Sequence, residues 1–159
     1  MIPISDKLIS ELNAQAGREM ANSFLYKNFA SWCHVRGLKH IEKFFLGESD
    51  GEVGHSKIFQ DLLNDANALI EFPAIEQKPR GFADCLSIAN LYVEAESETT
   101  NHLQAIYDLA EEEESVGVSN VLQALLQEQI EEEGLADRFT SLVTQSGGNL
   151  LLLDISMGE

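Results

Sequence analysis

Positive charge is what this chain has least of. It carries 10 Lys and Arg against 27 Asp and Glu, a formal net charge of −17 at pH 7. A phosphate backbone or an anionic lipid surface repels such a chain, which argues against nucleic acid and membrane as partners. Cysteine is scarce too. Cys33 and Cys85 have no metal-ligand spacing and make no disulfide framework. No apolar run approaches the roughly 20 residues of a membrane span. The opening Met1-Ile2-Pro3-Ile4-Ser5-Asp6-Lys7 lacks the apolar centre of a secretion signal, so a cytoplasmic location is expected. Strand-like alternation, internal repeats and low-complexity tracts are missing as well.

What is present is helix. With 159 residues, 44% hydrophobic and 23% charged, the chain has the size of a single domain (1–159) with one good core. A first helix is expected from about Asp6 to Arg36, capped by Ser5 and ended by Gly37. A second follows at once, from about Leu38 to Asn67, and so short a connection makes the two antiparallel neighbours. The segment Ala68 to Phe82 holds Pro73, Pro79 and Gly81 and reads as irregular. Extended, it reaches roughly 50 Å, the length of a whole helix of this size. A crossover of that length sets the third helix, about Ala83 to Glu114, parallel to the second. Asp84 stands near its start. Gly117 is expected to break the pattern, with Ser119 or Asn120 opening a fourth helix that runs to about Gln145. Gly147-Gly148 stops it. A last short helix at about 147–157, rich in leucine from Leu150 to Leu153, is too apolar to hang in solvent and calls for burial, against this chain or another subunit. The expected fold is all-α: a four-helix bundle of about 6–145 with one long crossover, plus a short fifth helix.

Each inner stripe carries a polar residue near its middle. The first reads Leu12, Ala16, Glu19, Ser23, Tyr26, Ala30, Cys33. The second reads Ile41, Phe45, Glu48, Glu52, His55, Phe59, Leu62, Ala66. The third passes through Ala89, Tyr92 or Val93, Glu96, Thr99 or Thr100, Leu103, Tyr107 and Ala110, and the fourth through Leu122, Leu125, Gln129, Glu132, Ala136, Phe139 and Val143. Glu52 and His55, three apart on one helix, share a face. Charged groups in a buried stripe cost several kcal/mol unless paired or bound to metal. In a bundle of this connectivity Glu19, Glu52, Glu96 and Glu132 converge, and their repulsion calls for cations. Oxygen ligands with one imidazole suit iron or manganese and tolerate zinc. Two ions bridged by Glu52 use the set economically, one taking Glu19 and His55, the other Glu96 and Glu132.

The pattern resembles ferritin, the non-haem iron-storage cage family, over nearly the whole chain. The resemblance rests on Leu12-Asn13 through Glu19 with Tyr26 and Trp32-Cys33, on Glu52-Val53-Gly54-His55, on Glu96 ahead of Ile106-Tyr107-Asp108-Leu109-Ala110, and on Glu128-Gln129 with Glu131-Glu132-Glu133. It implies a cytoplasmic homo-oligomeric shell of 24 subunits, each with a di-iron ferroxidase centre that oxidises Fe2+ with O2 and stores the ferric product. It also implies Glu19, Glu52 and His55 at one iron and Glu52, Glu96 and Glu132 at the other. Gln129 matches a glutamine beside the centre, and Tyr26 a tyrosine that supplies an electron to O2.

Departures from the family pattern carry information. Bacterial members often place a carboxylate directly before the bridging glutamate, helping to hold a third iron, and here Gly51 stands there. Glu128 and Glu131 match the other third-site ligands, with Glu48 as a partial stand-in. Val53 occupies the place of the methionine that haem-binding members carry, and Glu128 is followed by Glu131 rather than by a second Glu-x-x-His, so no haem is expected. Ser119 and Leu122 align with acidic positions that line entry channels in animal-type shells. Two rivals remain. A di-iron oxidase or peroxidase of the rubrerythrin type uses the same bundle, but that group's cysteine-rich segment is missing here. A non-catalytic bundle leaves the buried glutamates without purpose.

Overall fold

The computed structural model describes residues 2–159. Five helices account for most of them: α1 (Asp6–His34), α2 (Lys39–Asp65), α3 (Cys85–Glu112), α4 (Val116–Ser146) and α5 (Leu150–Met157). No strand occurs among the described residues.

Three helices start on a side-chain cap. Ser5 Oγ accepts from Leu8 N at 3.0 Å, Asp84 Oδ1 from Ser87 N at 2.8 Å, and Asn149 Oδ1 from Leu152 N at 3.0 Å. Leu38 gives α2 no such cap. Asp154 of α5 supplies it instead, its Oδ1 accepting from His40 N and Ile41 N, both at 3.0 Å. The His40 ring lies 3.3 Å from Asp154 Oδ2. The short fifth helix is thereby fastened to the start of the second. Leu153 is buried beneath it, while Leu151, Leu152 and Ile155 remain exposed.

Three helices end in one way. Gly37, Asn67 and Glu114 have φ of 71°, 54° and 56°, in the left-handed region. After each, the next amide reaches back five residues: Leu38 N to Cys33 O at 3.1 Å, Ala68 N to Leu63 O at 2.9 Å, Ser115 N to Ala110 O at 2.8 Å. Glycine takes this conformation freely; Glu114 bears a cost of about 1 kcal/mol. The expectation that Gly117 separates the third and fourth helices therefore fails. The break lies at Glu114, and α4 opens at Val116 rather than Ser119 or Asn120. Gly117 sits in its first turn, where Ile2 Cδ1 stands 3.4 Å from the place a Cβ would take.

Residues 66–84 form the crossover, strapped along α1. Asn13 donates to Leu69 O (3.2 Å) and accepts from Glu71 N (2.6 Å). Pro73 lies so close to Gly17 that a Cβ there would meet Pro73 Cγ at 2.5 Å. Asn28 donates to Pro79 O (2.9 Å), and Trp32 Nε1 to Phe82 O (2.9 Å). From Asn13 to Trp32 the contacts climb α1 by roughly 28 Å at 1.5 Å per residue. The crossover thus delivers the chain to the opposite end of the bundle, and α3 runs parallel to α2. Tyr92 meets Glu48 near their starts, and Leu103 joins Phe59 and Leu62 nearer their ends. The antiparallel pairing of α1 and α2 shows in Ser23 on Ser49 (2.8 Å) and Ser56 on Ala16 O (2.8 Å).

The core has two halves with the polar centre between them. One holds Tyr26, Phe29, Trp32, Phe45, Tyr92 and Phe139, with Phe44 and Phe82 at its edge. The other is built from leucine, isoleucine, valine and alanine around Phe59. In the third stripe the inward choices are Tyr92 and Thr99, and Ile106 rather than Tyr107.

Candidate metal centre

Four helices bring polar side chains to one depth. Glu19 on α1, Glu52 on α2 and Glu96 on α3 are 1%, 4% and 1% exposed, and Gln129 on α4 is 3% exposed. Glu19, Glu52 and His55 place their ligand atoms within 4.8 Å of one another. Glu48, Glu96 and Glu132 do the same, as do His55, Glu128 and Glu132. His55 and Glu132 each belong to two of these groups, so the three make one continuous cluster. A cavity of about 40 Å³ opens beside it, lined by Gly47, Glu48, Gly51, Glu52, His55 and Glu132. That is room for at least one water-sized guest.

Neighbours hold these groups in place. Gln15 Nε2 donates to Glu19 Oε1 at 2.8 Å, while Arg18 donates to Gln15 Oε1 at 3.0 Å and so fixes which way the amide faces. Glu19 Oε2 is buried with no hydrogen-bond partner. An orphan carboxylate oxygen at the centre of a protein calls for a cation or a proton. Glu96 is held from both sides: Tyr26 O–H donates to Oε1 at 2.5 Å and Gln129 Nε2 to Oε2 at 3.1 Å. Tyr92 O–H donates to Glu48 Oε2 at 2.9 Å. His55 spans two carboxylates, Nδ1 lying 3.2 Å from Glu52 Oε2 and Nε2 3.1 Å from Glu128 Oε1.

Protonation follows from this crowding. Burial raises the Glu19 pKa well above the usual carboxylate range, and the negative charge of Glu52 raises it further. Glu52 is raised by burial, the Glu19 carboxyl beside it pulling the other way and the Glu96 charge adding to the rise. Glu96 is raised by burial although the Tyr26 and Gln129 hydrogen bonds pull the other way. Glu132 is pushed up to about 8 by burial and by the charges of Glu48 and Glu96. Burial opposes charge on His55, but the Glu128 hydrogen bond and nearby carboxylates outweigh it and raise its pKa. Burial lifts the Tyr26 and Tyr92 phenols too, so both stay neutral. Without metal, Glu19, Glu52, Glu96 and Glu132 keep their protons to higher pH than exposed carboxyls do. Cation binding displaces those protons, and a donor set of many oxygens and one imidazole suits iron or manganese.

Most residues singled out in the sequence meet here: Glu19, Tyr26, Glu48, Glu52, His55, Glu96, Gln129 and Glu132. Glu48 sits beside Glu96 and Glu132, closer to the middle than a third-site stand-in. Glu128 reaches His55, but Glu131 is exposed and joins none of the three groups. Ser119 and Leu122 are buried inside this chain, at 4% and 0% exposure, so neither presents its side chain at the surface. Two supporting residues escape the sequence pattern. Gln15 lies one turn before Glu19, a spacing that signals contact. Tyr92 shares its stripe position with Val93, and periodicity alone does not choose between adjacent residues.

Comparison with known proteins agrees with this fold. Residues 9–145 match the family described as Ferritin-like domain. A bacterial non-heme ferritin of Bacteroides fragilis is 24% identical over 157 residues, covering 98% of this chain and 99% of that protein. One from Staphylococcus aureus is 24% identical over 144 residues, covering 91% and 87%. Among solved structures, an open pore ferritin from the archaeon Archaeoglobus fulgidus superposes with a TM-score of 0.93 at 26% identity, covering 99% of this chain and 98% of that one. By fold, by matched length and by family, this chain belongs to the ferritin-like domain family.

Proposed function

We propose that the chain is a ferroxidase and iron-storage subunit. Fe2+ is its substrate, O2 the oxidant, and the ferric product is stored inside a homo-oligomeric shell, the 24-subunit cage of the family. One observation carries this reading: a carboxylate cluster drawn from four helices, buried at Glu19, Glu52 and Glu96, in which Glu19 Oε2 has no hydrogen-bond partner. Glu19, Glu52 and His55 would hold one Fe2+. Glu96 and Glu132, with Glu48 beside them, would hold a second, and Glu52 stands between the two sets. A third Fe2+ near Glu128 would have His55 and Glu132 for company rather than Glu131.

The residues have separate tasks. Gln15 and Arg18 keep Glu19 turned inward, and Tyr26 with Gln129 orients the carboxylate of Glu96. The raised carboxylates give up protons as Fe2+ enters, so binding releases acid. Each of two Fe2+ yields one electron to O2. The net charge of −17 concentrates cations around the protein. The shell would be a soluble, cytoplasmic particle without haem. Among the described residues no helix is long and apolar enough to cross a membrane.

Size-exclusion chromatography joined to Fe2+ oxidation tests the proposal. A particle of about 24 chains that oxidises two Fe2+ per chain supports it. A small oligomer that consumes peroxide in place of O2 would favour the rubrerythrin-type alternative. A monomer with no iron-dependent absorbance would leave neither standing.

A further inference from the structure

Tyr26 is one of two phenols at the centre. Tyr92, on the neighbouring stripe of α3, is fully buried, and its O–H donates to Glu48 Oε2 at 2.9 Å. Its ring meets that of Tyr26 edge-on, with centroids 5.3 Å apart and planes at 82°. The arrangement is paired: each ring touches the other, and each hydroxyl rests on a different carboxylate of the same trio, Glu96 for Tyr26 and Glu48 for Tyr92. A buried phenol surrenders an electron only if its proton leaves at the same time, because a charged phenol radical has no solvent to stabilise it. Both phenols have a proton acceptor already in hydrogen-bond contact. Trp32 in the same aromatic half does not, since its Nε1–H donates to the Phe82 carbonyl, which takes no proton.

We propose that Tyr92 is a second electron donor of the centre, working alongside Tyr26. The proposal rests on the ferroxidase reading above and extends it. Reducing O2 to two waters needs four electrons and four protons. Two Fe2+ supply two electrons and become Fe3+; Tyr26 and Tyr92 supply one each and become neutral tyrosyl radicals. Their phenolic protons pass by way of Glu96 and Glu48 to the oxygen, and the other two protons come from solvent. Two later Fe2+ re-reduce the radicals, each giving one electron while one proton from solvent returns to each ring. With both phenols in service, O2 leaves as water and no peroxide is released. With one removed, the electron count falls short and peroxide escapes.

The test compares wild type, Tyr92→Phe, Tyr26→Phe and the double variant, all as the assembled protein. Phenylalanine keeps the ring packing, and thermal unfolding with anaerobic Fe2+ titration checks that fold and iron binding persist. After Fe2+-loaded protein meets O2, rapid-freeze electron paramagnetic resonance counts tyrosyl radicals and a peroxidase-coupled assay counts released peroxide. Tyr92→Phe is expected to lose about half of the radical yield and to release peroxide. Tyr26→Phe should keep a radical on Tyr92, and the double variant should show none. Radical yield and peroxide unchanged in Tyr92→Phe, or a radical abolished by Tyr26→Phe alone, would overturn the role of Tyr92. Wild type that binds no Fe2+ anaerobically would overturn the ferroxidase reading and this inference together, a result distinct from iron bound without radicals.

Discussion

The two halves of this bundle are equally buried and differently made. Around the starts of α2 and α3, Tyr26, Phe29, Phe44, Phe45, Tyr92 and Phe139 stack in a web of ring contacts 5.1–6.4 Å apart. Around their ends, the aliphatic side chains of Leu8, Leu12, Leu62, Leu63, Leu103, Ile106 and Leu122 pack together instead. Both halves supply hydrophobic stabilisation of the same kind. Only the aromatic half ends in hydroxyls that reach the carboxylates, through Tyr26 and Tyr92. The aliphatic half is scaffold; the aromatic half is scaffold and chemistry at once.

Truncating one residue in each half is the strongest way to separate them. Phe45 contacts Tyr26, Tyr92 and Phe139, so Phe45→Ala should cost about 4 kcal/mol in denaturant unfolding and also slow Fe2+ oxidation by the folded protein. Leu63→Ala should cost about 3 kcal/mol and leave oxidation by the folded protein unchanged. Equal effects on oxidation from the two variants would erase the distinction.

Acidity offers a second contrast, because the titrating groups lie in the layer between the halves. Glu19, Glu52, Glu96 and Glu132 have raised pKa values in the folded chain, Glu132 up to about 8. A carboxyl raised on folding contributes stability that is full below its unfolded pKa of about 4.3 and is lost as pH rises through the folded value. Metal-free protein should therefore melt at progressively lower temperature as pH climbs towards and through about 8. Loading with a redox-inert divalent ion should flatten that slope in calorimetry. A metal-free protein whose melting temperature rises over this range would contradict the assignment.

Smaller effects probe the ends. Asp154→Ala removes the cap that α5 lends to α2 and should cost about 1 kcal/mol, with faster amide exchange at His40 and Ile41. Glu114→Gly relieves the left-handed residue between α3 and α4 and should raise stability by about 1 kcal/mol in the same unfolding assay.

Much of the fold and the centre is legible in the amino-acid sequence, and the reason is periodicity. Glu19, Glu52, His55, Glu96 and Glu132 each interrupt an apolar stripe, and a long crossover through Pro73 and Pro79 fixes how the four stripes face one another. Periodicity says which face is inward but not which of two neighbours wins, so it leaves Tyr92 and Val93 open, and Thr99 and Thr100 with them. It also misplaces the third break. Gly117 looks like the stop because glycine is the usual left-handed residue, yet Glu114 holds that conformation, secured by the Ser115 amide on Ala110 O. Long-range support lies beyond pattern altogether. Nothing in α2 announces that its missing cap comes from Asp154, more than a hundred residues away, or that Glu128 turns to His55 while Glu131 stays in solvent.

Everything proposed about iron depends on Glu52 standing between two cation positions. The most direct measurement is anaerobic Fe2+ titration of wild type and Glu52→Ala, followed by admission of O2. Two Fe2+ per wild-type chain should bind before O2 is added and be oxidised together. Glu52→Ala should stay folded, lose that stoichiometric binding and oxidise Fe2+ roughly a hundredfold more slowly. A Glu52→Ala protein that binds two Fe2+ and oxidises them at the wild-type rate would contradict the account.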